Sequence, residues 1–211
     1  MFIIYGDSVR SNILAKSNKN LVRCEWVPQD NDLYIEYHDK EWGVPVHDDR
    51  KLFEMLTLEG AQAGLSWLTI LKRRDGYKRV FDDFDVTKIA RYSDKRVEKL
   101  LLDTGIIRNR LKVISTVINA KVFIKVQEEF GSFDNYLWGF VDHRPVVNSF
   151  KTESELPAKT ALSDTISNDM KKRGFKFVGS TSIYALIQSI GMVNDHTTDC
   201  FRYNDIKKMY Q

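Results

Sequence analysis

From residue 48 to residue 191, apolar side chains return every three or four positions, in segments that mostly open at Ser, Asp or Asn and close at Gly. This is the period of an amphipathic helix bounded by its own caps. Asp48 or Asp49 precedes Leu52, Phe53, Met55, Leu56 and Leu58. Ser93 precedes Val97, Leu100 and Leu101, with a stop at Gly105. A long pattern through Leu111, Ile114, Val117, Ile118, Val122, Phe123 and Val126 stops at Gly131, and Ser132 opens the next, through Phe133, Tyr136, Leu137 and Phe140. Ser163 is expected to cap a helix ending at Gly174, and Ser180 one running through Ile183, Leu186, Ile187 and Ile190 to Gly191. A shorter helix follows Asp30 or Asn31. The stretch Arg144–Pro157 reads as irregular, and no two alternating segments flank a hairpin turn. The fold class expected is all-α.

Residues 1–20 are diluted by Ser and Asn and read as a loosely ordered extension; residues 21–211 read as a single domain in two helical lobes. A hydrophobic content of 43%, with 12% aromatic, is that of a chain with a real core. The net charge of +3 permits a nucleic-acid partner without establishing one. No apolar run approaches the roughly 20 residues of a membrane span. The opening Met1–Tyr5 is too short for a signal core and is followed by Asp7, so a cytoplasmic location is expected. No exposed heptad is visible, and a monomer is expected.

One break between helices differs from the others. Leu58-Glu59-Gly60-Ala61-Gln62-Ala63-Gly64-Leu65-Ser66-Trp67 carries a carboxylate and a tryptophan across a double-glycine bend. Ser66 suits the start of a second helix with Trp67, Leu68, Ile70 and Leu71 on its apolar side. Gly60 and Gly64 allow the tip to project Leu65 outward while Glu59 and Trp67 share a hollow. The plainer reading is an ordinary connection with one core Trp. Trp26, Tyr37 and Trp42 join this pair as an aromatic set. Such sets are usually core, yet flat rings around one carboxylate also suit an extruded nucleobase.

Two further constellations carry chemistry. Cys24 and His38 lie near the start of the domain, with His196 and Cys200, four residues apart, near its end. One helical turn would put the last two on one face, and the four form a closed Cys2His2 set of the zinc type. Spacing alone leaves a buried cysteine pair with surface histidines equally open. His47 and His143 have no such partners and read as solvent-facing. The run Lys171-Lys172-Arg173-Gly174-Phe175-Lys176-Phe177-Val178-Gly179-Ser180-Thr181 joins a basic helix to a glycine turn and a new helix start. Backbone N–H groups there suit a phosphate, with Lys176 adding charge; a plain αα-corner with a solvated face is the alternative. Thr104–Arg110 is a weaker version of the same pattern.

In order along residues 21–201, the motifs Arg23-Cys24-Glu25-Trp26-Val27, Tyr37-His38-Asp39-Lys40-Glu41-Trp42-Gly43-Val44-Pro45, Leu58-Glu59-Gly60 with Gln62–Trp67, Gly105-Ile106-Ile107-Arg108, Lys172–Gly179 and Val193-Asn194-Asp195-His196 together resemble the bacterial type I 3-methyladenine DNA glycosylases. The resemblance implies a helix-hairpin-helix glycosylase fold. It also implies one structural zinc, held by Cys24, His38, His196 and Cys200, that joins the N- and C-terminal segments. By the same resemblance Glu59 recognises the base and is the catalytic residue, with Tyr37 and Trp67 stacking and Trp42 lining the pocket. Gly64 and Leu65 enter alkylated double-stranded DNA, while Lys176, Gly179 and Ser180 grip phosphate. Free 3-methyladenine is the implied product. Asp195 lies in a tempting region but is left outside the catalytic set, and no lysine in these motifs suggests lyase chemistry. A zinc-stapled binder without activity and a zinc hydrolase are the alternatives; the latter needs an open metal position, which a four-ligand set denies.

Overall fold

The computed structural model describes residues 21–209; the expected extension at 1–20 lies outside the described residues. Eleven α-helices are described: α1 (Asp32–Lys40), α2 (Asp49–Gln62), α3 (Trp67–Leu71), α4 (Arg74–Val80), α5 (Val86–Ile89), α6 (Asp94–Leu100), α7 (Arg110–Phe130), α8 (Phe133–Trp138), α9 (Ala161–Arg173), α10 (Ser180–Ser189) and α11 (Phe201–Lys208). Short 3-10 turns occupy Asp82–Phe84, Gly139–Val141 and Glu153–Glu155.

The caps explain most boundaries. Asn31, Asp48, Ser66, Ser93 and Ser132 each accept from a backbone N–H three residues on, satisfying a donor that the helix itself leaves open. Three expectations shift. Ser163 is not a cap: Thr160 is, and Ser163 closes its capping box. Gly179, not Ser180, is the N-cap of α10. Helix α6 ends at Leu100 rather than reaching toward Gly105.

Helices α2 and α7 form the spine. Their fully buried Leu52, Phe53, Leu58 and Phe123 meet through an edge-to-face contact of Phe53 with Phe123 (5.1 Å), and Phe123 stacks on Phe133 of α8 at 4.1 Å. Each such side chain contributes about 1.5–3 kcal/mol by burial. The Asp49 carboxylate fastens α8 by accepting from the backbone N–H groups of Phe133 and Asp134, and also takes the side-chain amide of Gln127 on α7. Around this spine α10 packs on α2 and α9, and α5 and α6 pack on α7.

The region expected to be irregular contains a strand as well as the 3-10 turn at Glu153–Glu155. Val146–Val147 pairs in parallel with Val193–Asn194. Two residues on each side are too few for any alternating pattern, so the expectation of an all-α chain stands except for this clip. At the other end Phe201 N–H donates to the Val22 carbonyl, drawing the N-terminal segment onto the start of α11.

Candidate active site and metal cluster

Glu59 sits on the last full turn of α2, 5% exposed. Its Oε2 is buried and unpartnered, and burial pushes its carboxyl up to about 8. Four residues on, Ala63 leaves the helix with ψ 114 and Gly64 takes φ +78, a conformation that suits glycine. Ser66 then caps α3, which returns Trp67 toward Glu59. The bend exposes Leu65 (40%) and buries Trp67 (8%), but of the two glycines only Gly64 shapes it, since Gly60 lies inside α2.

Tyr37 faces the same place from α1. Burial, then the Glu59 carboxylate, raise its phenol well above the ordinary range. Glu59, Tyr37, Trp42 and Trp67 line one cavity of about 190 Å³ together with Trp26, Tyr34, Gln62, Leu156, Ala185 and Gln188. Sequence singled out the first four residues as a site and named Trp26 among the aromatics. Tyr34 and Gln62 have a signal in hindsight, each three residues from a chosen site residue on the same helix face. Gln188 and Leu156 have none. The rings of Tyr37 and Trp67 lie 5.2 Å apart, tilted by 53°. Two stacked layers on a flat ligand need roughly 7 Å, so in the free protein these rings touch each other rather than framing an open slot. A second hollow shares Glu59, Gln62 and Ala185 and is bordered by Gly64, Leu65, Thr181 and Ser182. It lies between the α2–α3 tip and the start of α10.

Behind Trp42 lies the donor set. Cys24, His38, His196 and Cys200 are all buried, with their ligand atoms within 4.8 Å of one another. His196 Nδ1 is 3.5 Å from both sulfurs, and His38 Nε2 is 3.5 Å from Cys200 Sγ. The outer nitrogens fix the tautomers. His38 Nδ1 donates to Asp39, which Arg23 holds with a two-pronged ion pair, and His196 Nε2 donates to the Trp42 carbonyl at 3.1 Å. Each ring therefore turns its other nitrogen toward the sulfurs, the arrangement a metal needs. The hydrogen bond between the thiols pushes Cys200 down and Cys24 up, burial adding to the rise. These residues fit a tetrahedral soft-donor cation. His196 and Cys200 meet through a turn closed by Cys200 N–H on the Thr197 carbonyl, with Cys200 itself the N-cap of α11, and not along a helical turn as expected. His47 and His143 are exposed, as expected.

The basic segment lies beside the second hollow. Gly174 ends α9 at φ +104, Phe177 holds φ +56, and Gly179 starts α10 with no side-chain cap and open space where a Cβ would be. Lys176 is exposed; Arg173 is committed to Glu129 and Asp169, and Ser180 Oγ to Ser163. Asp195 is 1% exposed and accepts from Asn148, Tyr184 and Gln188, so its carboxylate is taken up by the fold. Among the described residues no helix is long and apolar enough to cross a membrane.

Comparison with known proteins follows the same residues. A sequence model described as methyladenine glycosylase matches residues 26–203. The chain is 49% identical over 181 residues to DNA-3-methyladenine glycosylase 1 of Escherichia coli (strain K12), covering 86% of this chain and 96% of that protein. A crystal structure of a 3-methyladenine DNA glycosylase I superposes with a TM-score of 0.82 at 48% identity, covering 85% of this chain and 98% of that one. A variant of such an enzyme in complex with 3-methyladenine gives 0.80 at 32% identity, covering 82% and 92%. The matched segment runs from Trp26 in the cavity wall to Tyr203 beyond the donor set, and the chain belongs to the methyladenine glycosylase family.

Proposed function

We propose that this protein flips 3-methyladenine out of alkylated double-stranded DNA and hydrolyses its N-glycosidic bond, freeing the base and leaving an abasic site. The observation that carries the reading is Glu59 Oε2, buried and unpaired at the edge of an aromatic cavity. A buried acceptor without a donor is a loss of about 1–3 kcal/mol that an incoming ligand's N–H removes. Relatives carrying the name of this activity, and a structural neighbour holding 3-methyladenine, support the same assignment.

Methylation at N3 leaves the adenine positively charged in DNA, so its bond to the sugar is weak before the protein acts. The C1′–N9 bond breaks with its electron pair going to the base, whose charge is thereby neutralised. Water forms the new C1′–O bond and gives up a proton. No strong general acid is needed; the protein has to extract the base, hold it and favour that redistribution. Tyr37 and Trp67 part to stack on the base, Trp42 closes the cavity, and the Glu59 carboxylate accepts from the exocyclic amine. A guanine carbonyl at that place meets the carboxylate unfavourably. Aromatic faces hold a cation better than a neutral ring by about 0.5–2 kcal/mol.

The Gly64-Leu65 tip fills the space the base leaves, and α9–α10 act as a helix-hairpin-helix, with the N–H groups after Gly179, that of Ser180 among them, and Lys176 on a phosphate. Cys24, His38, His196 and Cys200 hold one zinc, which with four protein ligands supplies structure and no open position for water. The test is release of free base from methylated DNA by wild type and by Glu59→Gln. Release by wild type and a loss of about 100-fold or more in the variant is expected for a recognition carboxylate; equal release by both removes Glu59 from the site.

A further inference from the structure

One face of α7 is tied to both segments assigned above to DNA. Lys112, in its first turn, sends Nζ to the carbonyls of Ala61 and Ala63, at 2.7 and 2.6 Å. These carbonyls lie at the C-terminal end of α2, where a helix runs out of its own donors, and a cation suits them. Two turns on, Asn119 makes a paired bond with the backbone of Lys176: its Nδ2 donates to the Lys176 carbonyl at 3.0 Å, and its Oδ1 accepts the Lys176 N–H at 2.7 Å. Asn119 is 5% exposed, so both bonds are shielded from water. Seven residues separate the two anchors, which puts them on one side of the helix about 10 Å apart along its axis. The two anchored segments also touch directly. A Cβ on Gly60 would stand 3.3 Å from Phe177 Cβ, and Phe177 holds the positive φ of 56 that shapes the hairpin. Residues with such backbone strain persist only where their surroundings hold them.

We infer that Lys112 and Asn119 are positioning residues: α7 acts as a rigid spacer that fixes the Gly64-Leu65 tip relative to the Lys176–Gly179 hairpin, so that the wedge and the phosphate grip engage one duplex in register. Neither residue lines the base cavity. Their action is on extraction from duplex and not on holding the free base. This inference rests on the proposed DNA roles of the tip and the hairpin.

The experiment uses full-length Lys112→Met, Lys112→Arg and Asn119→Ala. Base release from methylated duplex is read as kcat and KM, free 3-methyladenine binding by tryptophan fluorescence, and backbone hydrogen exchange without DNA. Lys112→Met is expected to lower kcat/KM on duplex about 10-fold or more, the scale of a misplaced positioning contact, with free-base affinity unchanged and Lys112→Arg restoring activity. Exchange should speed at Leu65 in Lys112→Met and at Lys176 in Asn119→Ala, each without the other. The double variant should lose little beyond the worse single one, because both act on one spacing. Unchanged excision by Lys112→Met, an equal loss of free-base binding, or unaltered exchange at Leu65 each overturns the spacer. If wild type itself releases no base while the exchange pattern holds, the DNA reading has failed and the clamp on the two segments has not.

Discussion

The carbonyl of Trp42 accepts a hydrogen bond from Nε2 of His196, 3.1 Å away, so a residue that walls the aromatic cavity also fixes a ring of the donor set. The Trp42 indole meets His196 edge-on at 4.6 Å and lies near-parallel to His38. Loss of the metal should therefore be felt in the cavity as well as in stability. The purified protein is expected to contain one zinc per chain. Cys200→Ser should lower zinc content and reduce the melting temperature by about 10 °C or more, taking a few kcal/mol of metal-linked folding energy at 2–4 °C per kcal/mol. It should also shift tryptophan emission. Full metal retention with unchanged melting removes the zinc assignment.

Glu59 makes stability depend on pH in the direction opposite to most carboxylates. Its carboxyl titrates near 4.5 when unfolded and is pushed to about 8 in the fold by burial. Between these values the folded state binds the extra proton, so its stability falls as pH rises from 4.5 to 8. Glu59→Gln removes that dependence. The stability difference between variant and wild type should grow with pH across this window, in favour of the variant, to a few kcal/mol above pH 8. Melting curves at pH 5 and pH 9 measure it; parallel curves would show that the carboxyl is not desolvated.

The same group should shape catalysis. The substrate's charge is fixed by methylation, so only Glu59 has to ionise to receive it. The kcat/KM on methylated duplex should rise with pH along a limb with an apparent pKa near 8, and Glu59→Gln should lack that limb. A wild-type profile flat from pH 6 to 9 counts against the ionised form as the partner of the base.

What was legible in the sequence follows from physics that acts locally. The long helices α2 and α7 announced themselves because a core face repeats over many turns, and the start of α2 because Asp48 bonds within three residues; the α7 cap, Asn109, was not singled out. The donor set was legible because the chain holds only two Cys and four His. Contacts made across the chain were not. Gln188 enters the cavity from α10, and Leu156 from a segment without pattern. Lys112 at the start of α7 reads as a solvated lysine, since its carbonyl partners lie some fifty residues earlier. His196 and Cys200 had a helical spacing, but residues 197–200 close a turn instead, which brings both ligand atoms inward as one straight helix start was expected to do.

Leu65 is 40% exposed on a bend whose Gly64 has nothing near its missing Cβ, so the tip rests on little of its own protein. Leu65→Ala should therefore leave folding nearly unchanged, within about 0.5 kcal/mol as for a surface site. Its effect should fall on duplex DNA, where an apolar side chain fills the gap left by an unstacked base. Release of 3-methyladenine from duplex should drop roughly tenfold, and binding of the free base should not change. Equal loss in both assays would place Leu65 in the cavity wall rather than at the wedge.

Asp195 offers a converse case, in which a buried carboxylate near the cavity is occupied by structure. Asn148, Tyr184 and Gln188 all donate to it, joining the clip of Val146–Val147 on Val193–Asn194, α10 and one edge of the cavity. A carboxylate whose two oxygens already take three donors is poorly placed to assist at a sugar carbon. Asp195→Asn puts an amide where three donors converge, leaving at least one of them unpaired at about 1–3 kcal/mol. The variant should melt several degrees lower, at 2–4 °C per kcal/mol, while the kcat on methylated duplex, measured below its melting point, changes much less than in Glu59→Gln. If Asp195→Asn melts like wild type but loses kcat as Glu59→Gln does, the carboxylate belongs to the chemistry, and the division of labour between these two buried acids is reversed.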